Sequence, residues 1–180
     1  MKGVVFTEFL DFVGASHGED TVDDIIDASH LPSGGAYTAV GTYDHTEMVS
    51  LCTALSERTG TPTADLVRGF GTHLSGTFAK GYPAFFSRSG NFFDFLESIE
   101  AHIHVEVRKL YPDAQLPTFV VEERTPTRLV LHYRSPRRMG DLAEGLIIGS
   151  ARQFGVEAKV QASPVEGSDG QAMRFVIDLA

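Results

Sequence analysis

The sequence predicts an α+β fold, in which a helical N-terminal part precedes a C-terminal part with a small antiparallel sheet. Three observations lead to this prediction. Apolar residues recur at helical spacing through most of the first 110 residues, the spacing changes to alternation from residue 118, and one amphipathic segment separates two pairs of alternating segments. The 180 residues suit a single domain of two lobes, about 1–60 and about 61–180.

The first two helices are predicted from apolar spacing and from their ends. Residues 2–15 form the first helix, which Gly18 ends. Thr21 is a suitable N-cap for the second, because its hydroxyl can accept a hydrogen bond from the first turn. The apolar positions of the first helix are Val5, Phe9, Phe12 and Val13.

Two further helices are predicted from their N-terminal signals. Asp44 is a suitable N-cap for a third helix that extends to about Arg58. Thr61-Pro62 starts a fourth, since proline is favoured at the first helical position. Its single apolar stripe consists of Leu66, Phe70, Leu74 and Phe78.

The longest helix is predicted over Asn91–Leu110, after breaks at Tyr82-Pro83 and Ser87–Gly90, and Tyr111-Pro112 ends it. Its core-facing stripe consists of Phe92, Leu96, Ile99, Ile103, Val107 and Leu110. Its glutamates are assigned to the solvated face and to no chemical role; they are Glu97, Glu100 and Glu106.

Alternation of apolar and polar residues predicts four strands in the C-terminal part. Residues 125–127 form a turn that joins the first two strands into an antiparallel hairpin, and Asp141–Phe154 is an amphipathic helix between the two pairs. The predicted strands are Thr118–Glu122, Arg128–Tyr133, Glu157–Gln161 and Met173–Leu179.

Charge and cysteine content exclude several classes of function. A net charge of −9 gives no attraction to phosphate backbones or to anionic membrane surfaces. Cys52 is the only cysteine, which excludes an internal disulfide and any site with several cysteine ligands. No segment approaches the ~20 apolar residues of a membrane span. The sequence therefore predicts a cytoplasmic protein that binds neither nucleic acid nor membranes.

Histidine is the first candidate for chemistry. His104 lies near the end of the longest helix, on the side of Phe93 and Val107, where its imidazole could face an aromatic cofactor. Spacing alone leaves the choice open, because His102 is equally eligible and a half-buried histidine without a ligand has the same pattern.

A second candidate is the polar run that follows the second strand. In an extended chain Tyr133, Ser135 and Arg137 point to one side and span about 13 Å. A phenol, a hydroxyl and a guanidinium on one surface suit two carboxylates, and Pro136 indicates a strand end with free access. An ordinary polar strand face has the same pattern.

Several segments taken together resemble the haem nitric oxide/oxygen binding (H-NOX) family, and the resemblance covers nearly the whole chain. The most specific parts are Ile103–Pro112 and the Y-x-S-x-R motif at Tyr133, Ser135 and Arg137. The other segments are Met1-Lys2-Gly3, Gly18-Glu19-Asp20-Thr21, Leu55–Gly60 and Phe93–Ser98.

The resemblance implies a haem b cofactor held mainly by the lobe over 61–180. It implies that His104, not His102, ligates the iron, and that Pro117 presses on the haem plane. The Y-x-S-x-R residues correspond to the family's clamp on the haem propionates. Apolar walls are expected from Val5, Phe9, Leu74 and Phe78.

Two residues differ from those of some relatives, and the differences narrow the range of ligands that we expect. Leu142 stands where oxygen-binding members have a distal tyrosine, so no phenol is present to donate a hydrogen bond to bound oxygen. Nitric oxide and carbon monoxide bind ferrous haem without a donor. Met139 follows the clamp where some relatives have a zinc-binding cysteine. The resemblance thus implies a nitric oxide sensor without a zinc site.

The expected function is sensory, not enzymatic: gas binding would regulate a separate histidine kinase or cyclic-di-nucleotide enzyme. One alternative is a haem enzyme acting on peroxide or nitric oxide, which would need a distal acid/base group such as His73. A ligand-binding module without haem is another.

Overall fold

Eight α-helices, one π-helical segment and four strands make up residues 1–180 in the computed structural model. A helical part precedes a part with an antiparallel sheet, so the predicted α+β class is confirmed. The elements in chain order are α1 Gly3–His17, α2 Glu19–Ser29, α3 His45–Thr59, α4 Thr63–Gly81, α5 Pro83–Ser87, α6 Phe92–Ser98, the π segment Ile99–Ile103, α7 His104–Leu110, β1 Thr118–Arg124, β2 Arg128–Arg134, α8 Gly140–Gln153, β3 Ala158–Pro164 and β4 Ala172–Leu179.

The chain divides into two units, Met1–Phe70 and Gly71–Ala180, and the division falls within α4 instead of before it. In the first unit, the apolar face of α1 consists of Phe6, Phe9 and Val13, all fully buried. Phe6 was missing from the predicted face, whereas Val5 and Phe12 are only half-buried. The spacing of three and four residues from Phe6 fits one helical face better than a face that starts at Val5.

The helix ends in this unit agree only in part with those predicted from the sequence. The Asp44 side chain accepts a hydrogen bond from the Thr46 amide at 2.8 Å, which confirms this N-cap. Thr21 is not an N-cap. Gly18 has a φ of 91°, which lets α2 start at Glu19 directly after α1, and the Thr21 hydroxyl donates instead to the His17 carbonyl at 2.9 Å.

A four-stranded antiparallel sheet in the order β1-β2-β4-β3 forms the framework of the second unit. The predicted β1–β2 hairpin is present, closed by a hydrogen bond from the Thr125 amide to the Arg128 carbonyl. The core joins side chains of α6 and α8 to one sheet face; its sheet members include Leu129, Leu131, Tyr133, Phe175 and Ile177. This packing fixes the end of β2, because Tyr133 is part of the core.

Two glycines allow α4 and α8 to approach closely within this unit. A Cβ at Gly71 would lie 2.5 Å from the Leu142 carbonyl oxygen, and one at Gly149 would lie 2.7 Å from the Thr72 carbonyl oxygen. Between the helices, the hydroxyl oxygens of Ser75 and Ser150 are 3.1 Å apart. The candidate residues Leu74 and Leu142 are therefore carried by tightly packed helices.

The helix predicted over Asn91–Leu110 is not a regular α-helix. The π segment interrupts it, and the His104 amide donates to the carbonyl of Ile99, five residues earlier. A π turn takes about one residue more than an α turn, so the residues after it are rotated relative to the predicted stripe. Leu110, predicted in the core, is consequently 72% exposed, and Val107 is half-buried.

The expected break at Tyr82-Pro83 contains the short helix α5, with Pro83 at its first position.

Candidate functional site

The π segment decides which histidine faces the interior. His104 is 8% exposed, whereas His102 is exposed. In a regular α-helix the position in phase with the buried Phe92 and Leu96 would be Ile103; the delay of about one residue brings His104 to that side instead. His104 is the only buried histidine of the chain.

Only one of the two nitrogens of the His104 ring takes part in a hydrogen bond within the protein. Nδ1 lies 3.0 Å from Oε2 of Glu100. Since an ionised carboxylate only accepts hydrogen bonds, Nδ1 carries the hydrogen and Nε2 keeps its lone pair. Nε2 makes no hydrogen bond within the protein. Burial lowers the pKa of His104, and the nearby Glu100 offsets this effect only in part, so the imidazole is neutral at neutral pH. A neutral imidazole with a free nitrogen is a competent metal ligand.

The prediction that Glu100 lies on the solvated face without a role is wrong. Its side chain is half-buried and accepts hydrogen bonds from the Phe119 amide at 3.3 Å and from Nη2 of Arg108 at 3.4 Å, in addition to its contact with His104. Burial by itself raises the pKa of Glu100, but these hydrogen bonds outweigh burial and the pKa is lowered. The spacing of four residues between Glu100 and His104 is the signal in the sequence that indicated this contact.

The Y-x-S-x-R residues come together through a turn, not along a strand. β2 ends at Arg134, so the extended alignment up to Arg137 is wrong. The Ser135 hydroxyl accepts a hydrogen bond from the Arg137 amide at 3.2 Å, and the Arg138 amide donates to the Ser135 carbonyl at 3.3 Å. A serine that bonds to the backbone two residues ahead favours a turn over a continued strand.

This turn brings the three side chains into one locality. Tyr133 and Ser135 are buried and Arg137 is half-buried. Burial raises the pKa of Tyr133, and the Ser135 hydroxyl, the Met139 backbone and the Arg137 charge lie close enough to oppose that rise. The turn thus gathers a phenol, a hydroxyl and a cation at the end of β2.

Aromatic contacts connect this turn to His104. The His104 and Phe119 ring centroids are 6.1 Å apart, and those of Phe119 and Tyr133 are 5.4 Å apart. Pro117 is half-buried and directly precedes β1, two residues before Phe119. The start of β1 therefore lies between the candidate iron ligand and the candidate clamp.

Comparison with known proteins places this arrangement in a family. A family model described as Haem-NO-binding matches residues 2–162. The chain belongs to the H-NOX family. H-NOX domains are haem-binding domains of gas sensors. No curated protein matches this H-NOX chain.

Solved H-NOX structures resemble the chain over its full length. The unliganded Fe(II) protein from K. algicida is 40% identical, with a TM-score of 0.95 and coverage of 100% of this chain and 97% of that chain. The S. oneidensis protein in the Fe(II)NO state is 27% identical, with a TM-score of 0.90 and coverage of 100% and 99%. The IWP-051-bound Shewanella woodyi protein in the Fe(II)CO state is 36% identical, with a TM-score of 0.83 and coverage of 100% and 95%.

The apolar candidates of this H-NOX domain lie on three helices. Leu74 on α4 is fully buried, and Phe78 on α4 and Leu142 on α8 are half-buried. On α1 in the first unit, Phe9 is fully buried and Val5 is half-buried.

His73, the distal acid/base group required by the enzyme alternative, has an exposed side chain. No helix of the structure is long and apolar enough to cross a membrane.

Proposed function

We propose that this H-NOX domain binds haem b through His104 and acts as a nitric oxide sensor, not as an enzyme. The observation that carries the proposal is the buried, neutral imidazole of His104, whose Nε2 has no partner inside the protein. An imidazole nitrogen with a free lone pair is a competent ligand for haem iron, so the free Nε2 points to a ligand. When bound, haem would supply an iron that His104 ligates and that can bind a diatomic gas.

The surrounding residues fit the other parts of a haem. The turn at the end of β2 would offer Tyr133, Ser135 and Arg137 to the propionates, and the half-buried Pro117 would contact the ring plane. Leu74, Phe78 and Leu142 of the second unit supply apolar surface for the remainder, and Val5 and Phe9 stay candidates on the first unit. A fully apolar set suits a porphyrin, whose rim is hydrocarbon except at its two carboxylates.

Arg137→Ala is expected to weaken haem retention, because it removes the cation from the clamp. A hydrogen bond to a charged group is worth roughly 1.5–3 kcal/mol, and the half-exposed position of Arg137 favours the lower end. Haem transfer to apo-myoglobin should become roughly tenfold faster. Arg134→Ala is the matched control, since Arg134 is exposed and its side chain lies on the opposite sheet face from Tyr133. Equal transfer rates for the two variants would contradict the clamp.

The preference for nitric oxide and carbon monoxide over oxygen is expected from the apolar surface on α4 and α8. Leu142 stands in place of a phenol and His73 is exposed, so neither position supplies a donor to stabilise bound oxygen. The ferrous protein is expected to give visible absorption changes with nitric oxide and with carbon monoxide, and none in air-saturated buffer before oxidation. Leu142→Tyr is the informative comparison, because it adds a donor at that position. A stable oxygen complex of the unaltered protein would overturn the assignment as a nitric oxide sensor.

For signalling, His104 would connect α7 to the haem, and Pro117 and the clamp would hold the same haem against β1 and β2. Binding of nitric oxide to the haem would allow His104 to separate from the iron, and α7 would then lose this connection. We propose that a separate histidine kinase or cyclic-di-nucleotide enzyme responds to the release, because packed interfaces switch between discrete arrangements. Carbon monoxide would leave His104 bound.

A further inference from the structure

We infer that Glu100 is a positioning residue for the iron ligand: it holds His104 in a single tautomer and orientation and thereby strengthens the iron–histidine bond. This inference rests on the proposed ligation of haem by His104.

Both carboxylate oxygens of Glu100 are held by donors from different elements. Oε2 lies 3.0 Å from Nδ1 of His104 and accepts from the Phe119 amide of β1 at 3.3 Å. Oε1 accepts from Nη2 of Arg108 on α7 at 3.4 Å. Contacts on both oxygens restrict rotation of the carboxylate, so it is a rigid acceptor for the His104 ring.

This acceptor determines the tautomer of the His104 ring and the direction of its free nitrogen. Because the carboxylate cannot donate, the hydrogen on the ring must be at Nδ1, and the Nε2 lone pair points away from Glu100. A carboxylate that accepts from a ligating histidine also increases the electron density of the ring and its basicity as a ligand. The expected consequence is an iron–Nε2 bond stronger than that of a histidine whose Nδ1 faces a neutral acceptor.

The Phe119 contact gives Glu100 a second role. It joins the helical segment that carries His104 to the start of β1, two residues after Pro117.

Resonance Raman spectroscopy of the ferrous protein tests the inference, because the iron–histidine stretching frequency reports bond strength directly. We expect the frequency to fall in the order unaltered protein, Glu100→Gln, Glu100→Ala. Glutamine keeps an acceptor but loses the charge, whereas alanine loses both. Haem loss from Glu100→Ala should be at least roughly tenfold faster, the usual effect of removing the hydrogen-bond partner of a metal ligand.

Glu106→Gln is the matched control, since Glu106 is an exposed glutamate on α7, the helix that carries His104, and it pairs with Lys109. Its stretching frequency should equal that of the unaltered protein. A purely structural role for Glu100 would lower the thermal stability of the variants but leave the frequency unchanged, and that result would overturn the inference. Glu100→Gln is nearly isosteric, so it tests the frequency even if Glu100→Ala does not fold.

The same measurements separate this inference from the proposed function. If His104→Gly keeps the ferrous spectrum of the unaltered protein, His104 is not the ligand and the proposed function fails. If His104→Gly loses the histidine-bound spectrum while both Glu100 variants keep the original frequency, only the role of Glu100 is wrong.

Discussion

In the His104→Gly variant, the ferrous protein is expected to lose the absorption spectrum of histidine-ligated haem, and added imidazole should restore it. The variant removes the only buried imidazole and leaves space for a free one. No other histidine can replace it, because the side chains of His102 and His73 are exposed. The iron–histidine stretching band should disappear with the substitution and return with imidazole.

His102→Ala is the control for this experiment, since His102 lies on the same helical stretch but faces outwards. Its ferrous spectrum and its haem content should match those of the unaltered protein. The assignment of His104 is wrong if the glycine variant retains the native spectrum and imidazole has no effect. It is also wrong if His102→Ala produces the larger change.

Signalling provides the second large expected effect. The output of the partner protein should differ between the unliganded and nitric oxide forms, and the carbon monoxide form should resemble the unliganded one. Coupling between two sites is typically 1–3 kcal/mol, which corresponds to about 5- to 150-fold in affinity for the partner. The physical reason is that, in the proposed mechanism, nitric oxide would release His104 and free α7 from the haem, whereas carbon monoxide would not.

His104→Gly supplied with imidazole tests this mechanism separately from gas binding. Haem is then ligated, but no covalent chain connects it to α7, so partner output should match that of the nitric oxide form without any gas. If the nitric oxide form still has His104 bound, judged by its electronic absorption and Raman spectra, the mechanism fails. It also fails if partner output is the same for the tethered and untethered proteins.

Much of the fold follows from local patterns. Alternation in β1 to β4 and the turn at 125–127 predicted the sheet segments to within a few residues. The alternation has its clearest cause in β4, where Phe175 and Ile177 are buried and their neighbours are less so. Asp44 is an N-cap because its side chain acts on its own helix. The misplaced cap at Thr21 shows the limit of such rules: two helices follow each other directly at Gly18, and the hydroxyl bonds backwards.

The candidate site depended in two places on structure that spacing does not specify. A Tyr-x-Ser-x-Arg spacing suits both a strand and a turn, and the bond from the Arg137 amide to the Ser135 hydroxyl selects the turn. Glu100 looks solvated in a regular helix, but β1 brings the Phe119 amide to it. Neither bond can be inferred from spacing, since each depends on where β2 ends or β1 lies.

The sequence by itself determined the α+β order, the family resemblance and the residue types available for haem: one imidazole, a polar clamp and an apolar lining. Only the tertiary structure decided between His102 and His104 on physical grounds. Helical periodicity assumes a constant number of residues per turn, and the π segment at Ile99–Ile103 breaks that assumption immediately before His104. The extra residue in that turn rotates His104 inwards beside Glu100 and Phe119 and leaves His102 exposed.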